Sequence, residues 1–172
     1  MKIKVKWILG FAILLAPVPI IGVVKADQEE SKFQWVIASV ASAKANDDSK
    51  ILLTGNGTFV PTDPDEVSGG GTWQTFAPDG TTLTGSGSYT VKGLVRFDLA
   101  PGAVSNPAIR AGLTFLRLAY SDGSRGILVV SCHLPGTSDS VFEGATASKG
   151  FVDYWNRIPA GTFFRVVTET ED

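Results

Sequence analysis

The sequence predicts an all-β fold: an antiparallel eight-stranded β-barrel preceded by a short N-terminal helix. Three observations carry that expectation. The 172 residues include 19 Gly and 9 Pro against 1 Met, a composition of turns and strands rather than long helices. From residue 50 onward apolar residues recur with period two, and turn residues interrupt them about every ten positions. Segment 111–134 is apolar on both alternating faces: Leu128, Val130, Cys132 and Leu134 share one, Ile127 and Val129 the other. A two-layer sandwich wetted on one side would alternate more cleanly, so a small barrel is expected, its scattered glycines letting the strands bend.

Residues 1–26 have the grammar of an export signal. Lys2, Lys4 and Lys6 precede an uncharged, mostly apolar run over 7–24, and Val24-Lys25-Ala26 offers a cleavage site. Eighteen residues interrupted by Pro17 and Pro19 are a poor membrane span, for which about 20 apolar residues are needed. An uncleaved anchor is the alternative, and either form places the domain outside the cytoplasm, secreted or periplasmic. Residues 27–48 are predicted as an amphipathic helix with its linker. Asp27 and Glu30 have capping-box spacing, Phe33, Val36, Ile37 and Val40 form one helical stripe, and Asn46-Asp47-Asp48 ends it.

Residues 49–172 are then the barrel domain. Strands are expected over 51–60, 72–76, 81–86, 88–99, 111–120, 125–134, 141–146, 150–155 and 162–167, counted as roughly eight, with loops over 61–71 and 101–107. Two hairpins have a mechanism behind them. Pro78-Asp79-Gly80 fixes one turn dihedral with Pro and takes a positive φ at Gly, and Ser121-Asp122-Gly123-Ser124 repeats the turn chemistry.

Charge and rare residues narrow the function. Removing residues 1–26 takes away four of the 15 Lys and Arg and none of the 17 Asp and Glu, leaving a net charge of −6. A net acidic domain without a basic run has no footprint for nucleic acid. One Cys excludes an intrachain disulfide, and one His excludes a metal site of several imidazoles. Asp63, Asp65 and Glu66 crowd one loop, but without the residue order of a dedicated calcium loop they read as a solvated acidic turn. The sequence names no cofactor and no metal.

The stretch from Ser140 to Val152, SVFEGATASKGFV, resembles a strand–turn pattern late in allene oxide cyclase- and dirigent-type barrels. Gly69-Gly70-Gly71-Thr72-Trp73 and Gly85-Ser86-Gly87-Ser88-Tyr89 are similar in flavour to calycin-like barrels. The resemblance covers about a quarter of the chain. It implies an eight-stranded barrel, often oligomeric, with a hydrophobic cavity; it carries over no catalytic residue.

Four residues are candidates for contact with a ligand. Tyr89 and Tyr120 join apolar area to an orienting hydroxyl. Arg117, like Arg96, interrupts an apolar strand and must be paired or bind an anion if it points inward. His133 has the one side chain that titrates near neutrality. Adjacent strand residues face opposite ways, so Cys132 and His133 cannot form a dyad within one strand, and Cys132 reads as a small buried hydrophobe. The expectation is a non-catalytic barrel holding a small apolar or amphipathic molecule. An isomerase or cyclase using the same cavity, and a structural module buried in a homo-oligomer, are the alternatives.

Overall fold

The computed structural model describes residues 31–101 and 106–168; the proposed signal and the Asp27/Glu30 capping box lie outside them. Eleven strands form one antiparallel sheet: β1 (Lys32–Lys44), β2 (Lys50–Val60), β3 (Asp63–Phe76), β4 (Leu83–Leu99), β5 (Ile109–Arg110), β6 (Gly112–Tyr120), β7 (Arg125–Cys132), β8 (Gly144–Lys149), β9 (Val152–Tyr154), β10 (Asn156–Ile158) and β11 (Thr162–Val167). Pairing runs β5-β11-β1-β2-β3-β4-β6-β7-β8-β9, with β10 also on β1. The all-β expectation holds at this level. The ladder does not close on itself, and eleven strands stand where eight were expected.

The short N-terminal helix is not present: Lys32–Lys44 is a strand. Phe33, Trp35 and Ile37 are buried at period two, Ala38, Ser39 and Val40 are exposed, and Ala41, Ala43 and Ala45 are buried at period two again. The break is a bulge between Ile37 and Ala41 in the pairing with β2. It is pinned from the other side, where the amides of Ala38 and Ser39 donate to the Gly161 carbonyl at 2.8 and 3.3 Å and Gly161 N–H donates to Ser39 Oγ at 3.0 Å. The bulge sets four residues of β1 against two of β2, so the odd-numbered residues stay inward on both sides of it; the helical stripe arises because Val36 and Val40, both apolar, lie off that inward row.

The expected loop over 61–71 is also largely strand. Asp63 Oδ1 accepts the amides of Asp65 and Glu66 at 3.1 and 3.3 Å, turning the chain into β3. The two hairpins form as the sequence indicates. Gly80 and Gly123 have φ of 73° and 86°, Asp79 Oδ1 accepts the amides of Thr81 and Thr82 at 2.8 Å, and Asp122 Oδ1 accepts that of Ser124 at 3.1 Å.

The sheet rolls until its distant strands meet. Phe97 of β4 lies 5.0 Å from Phe33 of β1, 4.9 Å from Phe59 of β2 and 5.4 Å from Phe164 of β11, measured between ring centroids. The far side returns as well: β8 packs against β1, and β7 approaches β11. The buried residues of β1 and β8 include small ones, Ala41 and Ala43 on β1 and Ala145 and Ala147 on β8. One continuous core fills the roll, from Phe33 and Trp35 through Leu53, Leu116 and Leu128 to Phe164.

The second apolar face of β6–β7 is covered in part by the chain itself. Val129, Ser131 and Thr146 face outward yet are buried, and Ser131 Oγ donates to the Phe142 carbonyl at 2.7 Å, drawing the segment after β7 back across it.

Candidate functional site

Tyr89 and Tyr120 come together in the core. Their rings meet edge to face at 6.1 Å, with Trp73 5.9 Å from Tyr120. Both hydroxyls are engaged by the backbone: Tyr89 donates to the Thr54 carbonyl at 2.7 Å and Tyr120 to the Ser148 carbonyl at 2.8 Å. Burial raises the pKa of both phenols above the usual range. They are structural donors inside the roll. At the turn end, Lys149 closes over this cluster, its ammonium 4.1 Å from the Trp73 centroid and 5.3 Å from that of Tyr120, and ion-paired with Asp122.

Arg117 is elsewhere. On β6 the inward residues are Thr114, Leu116, Leu118 and Tyr120, so Arg117 stands on the outer face, exposed. Arg96 also points out and pairs with Asp98 at 2.5 Å. His133 sits at the opposite end of β7 from the hairpin turn. Its amide donates to Glu143 Oε2 at 2.6 Å, and its Nε2 is buried without a partner. Glu143 also accepts Thr162 N–H at 2.7 Å and Thr162 Oγ1–H at 3.1 Å, so one carboxylate ties the end of β7 to β11. Cys132 faces the core, and burial, then the Glu143 charge, push its thiol up to about 11. The four predicted residues therefore divide: two tyrosines in the core, Arg117 outside it, and His133 at a strand end.

Arg117 does line a groove, of about 640 Å³, across β4, β6 and β7 on the outer face. Such a volume is in the range that accepts a small molecule. Three cations surround it: Lys92, Arg117 and Arg125, with Ala119 and Ile127 as apolar floor. Their convergence follows from register. Arg117 stands between Gly93 on β4 and Ile127 on β7, and Ala119 between Thr90 and Arg125. Arg117 and Arg125 are thus diagonal neighbours, roughly 7–8 Å apart at the backbone. A bulge between Val91 and Gly93 supplies Lys92 as an extra residue beside Arg117.

Gly93 makes the third contribution. A Cβ there would lie 2.2 Å from Arg117 Nη2 and 2.7 Å from Nε, so the guanidinium occupies the space a side chain would fill. No carboxylate pairs with Lys92, Arg117 or Arg125 among the described residues. Along the Arg117 row the next acid is Asp153, which pairs with Ser148 on the far side of β8, three strands and roughly 14 Å away at sheet spacing.

Lys92 and Arg125 escaped the sequence reading. Lys92 looks like an ordinary outward residue until the bulge displaces it, and Arg125 becomes Arg117's neighbour only once the hairpin register is fixed. A second groove, of about 420 Å³ beside Val40, Leu52 and Gln74, has no ionisable side chain among its walls. Compared with family models, curated proteins and solved structures, the chain matches none.

Proposed function

We propose that this is an exported, secreted or periplasmic, non-catalytic binding protein whose ligand is a small amphipathic molecule. The roll works as a barrel in all but its hydrogen bonding, with contacts such as Phe33–Phe97 and the Glu143 tie replacing the missing ladder. The ligand lies outside it, in the Lys92–Arg117–Arg125 groove, because the interior is occupied by the protein's own aromatic side chains. The single observation that carries this is the groove's chemistry: three unpaired cations beside an apolar floor, an arrangement that leaves like charges repelling until an anion arrives. The isomerase or cyclase alternative finds less support, since the hydroxyls of Tyr89 and Tyr120 are committed to backbone carbonyls.

Native mass spectrometry of the full chain from its host tests the reading. A defined adduct of small-molecule mass, lost when Arg117 is replaced by Gln, is the expected result. A bare protein that also fails to take up fatty acids or alkyl phosphates would remove it. A homo-oligomeric interaction module remains a second reading because Phe151 is fully exposed and Trp155 and Ile158 are about half exposed. Sedimentation separates the two: an oligomer stable to dilution favours the module, a monomer the binding protein.

A further inference from the structure

Resting on that amphiphile reading, we infer that the ligand's head is a phosphomonoester rather than a carboxylate. The number and directions of the donors argue for it. Lys92 comes from β4, Arg117 from β6 and Arg125 from β7, with the floor residues Ala119 and Ile127 in the same outer-face rows. A carboxylate has two coplanar oxygens and one charge; it matches a single guanidinium fork and leaves the other two cations unneutralised. A phosphomonoester offers three terminal oxygens on a tetrahedron and a charge of about −1.5 to −2 at neutral pH, which suits three cations arriving from three strands.

The site is also shaped to hold its central arginine. The space above Gly93 is where the Arg117 guanidinium rests, so the fork lies over the β4 backbone at the residue that follows Lys92, with its outer side open to a ligand. The apolar stem then has one place to go, along Ala119 and Ile127. The same chemistry fits a soluble alkyl phosphate or the head of a phosphatidic acid in a bilayer.

The test is calorimetric titration of the full chain with octyl phosphate, octanoate and inorganic phosphate, each below any micelle concentration, and flotation with phosphatidylcholine vesicles with or without phosphatidic acid. Octyl phosphate is expected to bind at least about 10-fold more tightly than octanoate, the factor one additional charge-assisted contact supplies. Arg117→Gln should cost about 10-fold or more. Gly93→Ala should cost a comparable factor by displacing the guanidinium while retaining every charge, with an unchanged urea midpoint showing that the fold survives. Vesicle binding that requires phosphatidic acid assigns the head to a lipid, and binding of octyl phosphate alone assigns it to a soluble amphiphile. Equal affinity for octanoate and octyl phosphate overturns the phosphomonoester and leaves the binding protein standing. Inorganic phosphate binding as tightly as octyl phosphate keeps the head group but removes the amphiphile. If none binds, both proposals fall.

Discussion

Gly55 shows how much of this fold depends on single atoms. A Cβ there would lie 2.2 Å from the Tyr89 hydroxyl and 2.7 Å from the Gly70 carbonyl, at a φ of 156°. The hydroxyl could swing away only by giving up its bond to the Thr54 carbonyl; the backbone oxygen cannot. Gly55→Ala is therefore expected to cost about 1–3 kcal/mol from overpacking, and Tyr89→Phe about 1 kcal/mol for one hydrogen bond. Urea unfolding of both variants checks the order; a Gly55→Ala protein as stable as the parent would contradict the packing described.

At the turn end, Asp122 is held down to about 2, chiefly by its hydrogen bond from Lys149 and then by that from Ser124. A depressed carboxylate stabilises the fold above its unfolded pKa of about 3.9 and loses that contribution as pH falls toward the folded value. Between about pH 4 and pH 2 the parent should therefore lose stability that Asp122→Asn does not lose. Parallel urea midpoints for the two proteins across that window would contradict the pairing.

Among the elements, β1 shows why an amino-acid pattern can be right about burial and wrong about structure. Its apolar residues were legible, but Val36 and Val40, off the inward row, join Phe33 and Ile37 in a 3.6-residue repeat over about two turns, and the alanines that follow favour a helix in isolation. Gly161, far away in sequence, pins the bulge, and no local signal announces it. The hairpins at 78–80 and 121–124 were legible because their turn residues act through their own backbone. The two-residue β5 and three-residue β10 are too short for any period and exist only because β11 and β1 lie beside them. The small buried residues of β1, which packs against β8, give the element-level prediction. Ala43→Leu, fully buried in β1, is expected to cost about 1–3 kcal/mol by overpacking the core, whereas Ala38→Leu, exposed in the bulge, should be near neutral in thermal unfolding. Equal effects would contradict the tight packing around Ala43.

For the molecule as a whole, the sequence suggested a barrel with a ligand inside, and the packed roll moves the candidate site to the outer wall. Of the four residues put forward, Arg117 alone lines the groove, because an arginine in an apolar strand carries its anion chemistry wherever it points. Tyr89 and Tyr120 were credible cavity residues until their hydroxyls were seen to satisfy Thr54 and Ser148. The outer-face site depends on register across three strands and on one bulge, neither of which composition or periodicity encodes. The measurement that tests it most directly is amide chemical-shift mapping of the isotope-labelled chain titrated with octyl phosphate. The predicted result is saturable shifts confined to Lys92, Gly93, residues 117–119 and 125–127, with the amides of Trp35, Tyr89 and Leu128 unmoved. Shifts centred on those interior residues, or no saturable shift anywhere, would contradict it.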